Sequence, residues 1–123
     1  MKGLTIIWEG GAADAHARHR LVFEMALVQC ALGGALTLFV TGSAVMALRQ
    51  ASIKRDQFIP KLVGLSQLHV LLDELLTAGG RVVVCQSYMA GRGLSMEKLD
   101  PRIEAGGLVS VMQGLGEDRL VVI

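Results

Sequence analysis

Apolar positions along this chain follow two rhythms, and the switches between them outline its elements. Short β-branched runs closed by turn residues mark buried strands at 4–8, 35–40, 81–85 and 120–123. Between the first two, Leu21, Val22, Met25, Leu27, Val28 and Leu32 recur at spacings near three and four. That pattern predicts a helix over 15–32 with one broad buried face, capped by Asp14 and stopped by Gly33-Gly34. Thr41-Gly42-Ser43 closes the second strand, and residues 44–50 read as a short helix.

Residues 51–67 mix Lys54, Arg55, Asp56 and Pro60 with Phe58, Ile59, Leu62 and Val63, and read as an excursion that covers a site. Helical spacing resumes over 68–78, with Asp73-Glu74 on the polar side, and Gly79-Gly80 ends it. After Cys85 come a helical segment at 87–90, a break at Gly91-Arg92-Gly93 and a helical turn at 95–99 that Pro101 terminates. A brief fourth strand at 102–104 and a helix at 107–115 lead into the last strand. Strands alternating with helices require crossover connections, so a parallel sheet with helices on both faces is expected. With 123 residues, the chain is expected to form a single domain, 1–123.

Composition sharpens this. Hydrophobic residues make up 52% of the chain and charged ones 19%. That balance implies strands buried on both faces, or apolar surface hidden by self-association, so a homo-oligomer is expected. The longest apolar stretch, 21–40, contains Glu24, Gln29 and Gly33-Gly34 and is too interrupted for a membrane span. The first residues run straight into a strand without a signal-peptide pattern, so a cytoplasmic protein is expected. Net charge is +1 with no basic stripe, so nucleic acid is not an expected partner. Cys30 and Cys85 form no C-x-x-C pair, which disfavours a dithiol or a zinc cluster.

The chemistry centres on Cys85, placed where an apolar strand stops and the polar Gln86-Ser87-Tyr88 begins. Strand carboxyl ends line the ligand crevice of open α/β sheets, and a helix start favours a thiolate. The functional reading is a nucleophile; the plain one is a small buried apolar residue. Gln86 and Ser87 are candidates to hold a bound substrate or the thiolate, and Ser87 equally suits a helix cap. Arg92 and Lys98 are candidate cations for the same anion, against the commoner role of solvated surface charge.

Gly10-Gly11, after the first strand, offer backbone amides to a substrate. They lack both the Walker and the dinucleotide spacing, and Glu9 opposes a phosphate there. His16 and His19, with Asp14 nearby, do not make a tight metal set, and no metal site is expected. His69 reads as a half-buried or interface side chain and Cys30 as packing.

Three segments in order carry a family likeness: 30–42, with its Leu32-Gly33-Gly34 into a strand and Thr41-Gly42 out of it; 80–89, around Cys85; and Ile103-Glu104-Ala105-Gly106-Gly107-Leu108. Together they resemble the DsrE/DsrF/TusD sulfur-relay family, including YchN-like oligomers. The resemblance spans nearly the whole chain. It implies a three-layer α/β/α domain with a five-stranded parallel sheet in the order 4-3-2-1-5, assembled as a trimer or hexamer. Several members carry sulfane sulfur as a persulfide on a cysteine after the third strand, and Cys85 matches that position; other members lack it. The activity so implied is that of a sulfur carrier or sulfurtransferase, exchanging sulfur with a donor or acceptor protein through that cysteine. Such exchange needs no metal or organic cofactor. The alternatives are a non-catalytic oligomeric assembly module or a small-ligand binder using the strand ends near Gly10-Gly11 and Thr41-Gly42-Ser43.

Overall fold

The computed structural model describes residues 1–10, 16–52 and 63–123. In chain order the elements are β1 (Leu4–Trp8), α1 (His16–Ala31), β2 (Leu36–Val40), α2 (Ala44–Ala51), α3 (Val63–Thr77), β3 (Arg81–Cys85), α4 (Gln86–Gly91), a 3-10 turn (Met96–Lys98), β4 (Glu104–Gly106), α5 (Leu108–Gln113) and β5 (Arg119–Val122). The strands form one sheet in the order β4-β3-β2-β1-β5, and every pairing is parallel. This is the five-stranded α/β architecture and strand order that the family resemblance implied.

Strand alternation divides the side chains between two unequal layers. Ile6, Trp8, Leu38, Val40, Val82 and Val84 point to one face, where Val22, Phe23 and Ala26 of α1, Ala44, Val45 and Leu48 of α2, and Leu68, Leu72 and Leu75 of α3 cover them. Trp8, fully buried, meets Phe23 edge-on at 5.4 Å between ring centroids and His19 at 5.2 Å. The opposite face holds a smaller cluster of Phe39, Val83, Cys85 and Val111, with Ile7 and Tyr88 packed against it. Its cover comes from Val111 of α5 and from Tyr88 of α4, whose buried Met89 packs with the larger cluster instead.

Buried polar groups tie the layers together. The Gln29 side-chain amide, almost wholly buried, donates to the carbonyls of Lys2 and Ala35, fastening the end of α1 to the starts of β1 and β2. His69 Nδ1 lies 2.8 Å from the Ala51 carbonyl, and since a carbonyl only accepts, Nδ1 carries the proton. That bond links α3 to the end of α2. Arg102 reaches Asp100 and Asp73 at 2.8 Å each and so pins the approach to β4 onto α3.

Three elements differ from the sequence expectation by more than one residue. Helix α3 begins at Val63 rather than 68, because the apolar spacing extends upstream through Leu65, so part of the expected excursion is helical. Ala51 ends α2 and Ser52 caps it, while residues 53–62 lie outside the described residues, as does Asp14. Strand β4 begins at Glu104 rather than 102: Asp100 accepts the Arg102 amide and the Ile103 amide returns to the Asp100 carbonyl, a turn that consumes the residues after Pro101. Helix α5 is six residues, shorter than 107–115. Among the described residues no helix is long and apolar enough to cross a membrane.

Candidate functional site

The carboxyl ends of β1, β2 and β3 form one rim of the sheet, and each chain exit there has a local cause. At the end of β1, Gly10 takes φ +104°, open to glycine and strained for other residues. A β-carbon on it would run into the Ser43 hydroxyl and the Ala44 amide. The Glu9 carbonyl accepts from the Ala44 amide at 3.0 Å and from the Ser43 hydroxyl at 3.3 Å, so the β1 exit caps the start of α2. Gly10 therefore has a structural reason to be glycine. Gly11 lies outside the described residues.

Cys85 ends β3 and stands as the N-cap of α4 with extended backbone (φ −65°, ψ 108°). The helix thus starts one residue earlier than expected, and Ser87 sits inside its first turn rather than capping it. The Cys85 Sγ lies 3.4 Å from the Ser87 hydroxyl. Thr41, directly after β2 and on the same side of the sheet as Phe39, lies near enough for its hydroxyl to favour the thiolate. On the other flank the partner of Cys85 across the β3–β4 ladder is Gly106, which has no side chain to cover it. The residue retains 9% of its surface exposed.

These neighbours determine the thiol's acidity. Burial, the largest single influence, pushes the Cys85 thiol up, because a thiolate loses hydration there. The Ser87 and Thr41 hydroxyls and the Tyr88 and Ser87 amides outweigh it together and hold the thiol below the ordinary cysteine range. The amides lend this support without closing a full capping hydrogen bond. Cys30 moves the opposite way: burial alone raises it, and it packs against the core of the larger face.

Of the residues singled out from sequence, the fold brings Cys85 and Ser87 together. Gln86 is exposed, and its side chain makes no hydrogen bond among the described residues. Gly10 shares the rim but belongs to β1, with β2 between it and β3. Arg92 lies over the Tyr88 ring, 4.2 Å from its centroid, and neither it nor Lys98 contributes to the acidity of Cys85. His19 packs on Trp8, and among the described residues no group of three or more His, Cys, Asp or Glu is placed to hold a metal ion. Sequence reasoning missed Thr41 as a partner of the thiol. The available signal was its place as the first residue after β2, which the 4-3-2-1-5 order sets beside the end of β3.

A small all-parallel α/β domain with an acidified cysteine at the strand-end rim defines the class of protein. The chain belongs to the DsrE/DsrF-like family, whose match runs over residues 2–122. That family generally serves sulfur relay. The ychN protein from E. coli is similar in structure, with a TM-score of 0.71 at 21% identity over 100% of both chains. So is BT1422, a conserved protein of unknown function from Bacteroides thetaiotaomicron, with a TM-score of 0.70 at 16% identity over 99% of this chain and 95% of that one. At such identities the likeness is one of fold. No curated protein matches the chain.

Proposed function

We propose that this protein carries sulfane sulfur as a persulfide on Cys85 and passes it to a cysteine of a partner protein in the cytoplasm. The observation behind the proposal is the hydroxyl and amide environment of the Cys85 sulfur, which favours a thiolate despite burial. In the loading step the Cys85 thiolate attacks the outer sulfur of a donor persulfide. A new S–S bond forms at Cys85, the donor's S–S bond breaks, and the donor leaves as a thiolate. In the unloading step an acceptor thiolate attacks the outer sulfur on Cys85, which departs as a thiolate again. Each exchange is balanced and consumes no external oxidant. Thr41 and Ser87 serve both steps by donating to Cys85 as it attacks and as it leaves. Gly106 leaves one flank of the sulfur uncrowded for the partner's approach.

Reduced protein incubated with polysulfide should gain one sulfur atom on the peptide containing Cys85, reversibly with dithiothreitol. Cys85→Ser should abolish the gain and Cys30→Ser should preserve it. Failure to load Cys85 from any of several donors would overturn the proposal. The small residual exposure of Cys85 favours a second reading, a non-catalytic assembly module in which the thiol only packs against Val83 and Val111. Under that reading Cys85 resists thiol reagents in the native protein, and Cys85→Ala leaves stability nearly unchanged.

A further inference from the structure

Across the carboxyl ends of β2, β3 and β4 the smaller face carries Thr41, Cys85 and Gly106 in one row. The ladders set them there: Val40 pairs with Val84 and Cys85 with Gly106, so Thr41, next after Val40, falls beside Cys85. The row below is Phe39, Val83 and Glu104. Residues two apart on a strand share a face, so both rows project to the same side of the sheet.

Around the Cys85 sulfur the flanks are unequal. Thr41 stands on the β2 side, and Val83 lies behind on the same strand. The Ser87 hydroxyl is 3.4 Å away at the start of α4, and Tyr88 and Val111 pack in the same cluster. The flank toward β4 belongs to Gly106, and no side chain fills it. Among the described residues, a β-carbon built on Gly106 would meet a single atom within 4 Å, Val83 Cγ1 at 2.8 Å. Neither the Cys85 sulfur nor any atom of α4 or α5 comes that close. Beyond lies the margin of the sheet, where β4 is the edge strand and Ala105 and Gly107 are exposed. Gly106 has no positive φ, so its backbone does not demand glycine.

We infer that the space over Gly106 is where Cys85 receives sulfur, and where the outer sulfur of its persulfide then lies. The inference rests on the persulfide reading of Cys85 and adds a residue to it. Loading lengthens the side chain by one S–S bond of about 2.05 Å. Neighbouring strands lie about 4.8 Å apart, so an outer sulfur turned toward β4 comes to rest above the glycine. In the exchange the attacking, central and leaving sulfurs stand in line: the bond to Cys85 forms at one end as the donor's S–S bond breaks at the other, releasing the donor thiolate. Drawn from Cys85 over Gly106, that line runs off the β4 margin, where a donor or acceptor thiol has room. A methyl group and a sulfur atom are of similar bulk, so alanine at 106 contests the space and a longer side chain closes it.

The test times the gain of sulfur on the Cys85 peptide when reduced full-length protein meets polysulfide. The pH midpoint of Cys85 alkylation and the far-ultraviolet circular dichroism spectrum are measured alongside. Gly106→Ala narrows the space. Val83→Ala/Gly106→Val moves the valine across the ladder, closing the space while keeping the apolar volume of the cluster, and Val83→Ala alone reports the loss of packing. Gly106→Ala should load more slowly than the wild type and the paired variant by about ten-fold or more. Both should keep the wild-type alkylation midpoint, because Thr41 and Ser87 are untouched, and Val83→Ala should load at close to the wild-type rate. Should Gly106→Ala disturb folding through its clash with Val83, the paired variant, which removes that clash, decides the matter. A folded paired variant that loads at the wild-type rate would overturn the inference and leave the persulfide reading standing. So would a slowing that Val83→Ala reproduces, or one that a raised midpoint accounts for. A wild type that gains no sulfur from any donor removes both.

Discussion

Two cysteines in one small domain are driven in opposite directions by the same solvent exclusion. Both lose hydration, and only Cys85 has donors to replace it. The rate of alkylation against pH should therefore show a midpoint below that of an ordinary cysteine for Cys85 and above it for Cys30, separable by peptide mass. Thr41→Val and Ser87→Ala should each move the Cys85 midpoint upward and slow its alkylation at neutral pH several-fold. Equal midpoints in the wild type and both variants would remove these hydroxyls from the account. Cys85 was legible in sequence because a strand visibly ends there. Thr41 was not, because its closeness to the sulfur depends on which strands are neighbours, and local periodicity carries no strand order. Gly10 illustrates the reverse: its place after a strand suggested a ligand contact, while the fold supplies a packing reason in Ser43 and Ala44. Gly10→Ala should lower stability by on the order of 1–3 kcal/mol in chemical denaturation, through both the positive φ and the crowding.

Element boundaries were legible wherever glycine pairs punctuate the chain. Gly33-Gly34 and Gly79-Gly80 end α1 and α3 close to where the sequence placed those ends. The β4 boundary moved where a side chain bonding the backbone two residues on decided the matter. Asp100 folds the residues after Pro101 into a turn, and Arg102 then spans to Asp73 of α3. Its guanidinium is held well above its usual range by Asp100 first and Asp73 second, and Asp100 is held below the ordinary carboxylate range by Arg102. Arg102 and Asp73 are exposed and Asp100 only half-buried, so Arg102→Ala should cost on the order of 1 kcal/mol. That loss should shrink as salt is added, because screening weakens the pair already in the wild type. A salt-independent loss of several kcal/mol would mean that the side chain acts by packing.

At the scale of the molecule, class, layer count and sheet direction followed from the alternation of strand and helix alone, whereas the strand order came only with the family likeness. The two faces differ for a reason the sequence only hinted at: among the described residues α1, α2 and α3 cover one layer, where α4 also buries Met89, and the other is left to the six-residue α5 and Tyr88 of α4. The excess of apolar residues in the composition is accounted for partly by strands buried on both faces and partly by Leu108, Val109, Leu120 and Val122, which stay exposed. The position of β1 carries a further consequence. It lies second from one edge, paired on one side with β2, the next strand made, and on the other with β5, the last. During synthesis the sheet can grow outward from β1 through β2, β3 and β4 while the far margin of β1 waits uncovered. Its completion is deferred until β5 has emerged from the ribosome, so this half of the sheet is the part most exposed to chaperones, or to misassembly, while the chain is being made.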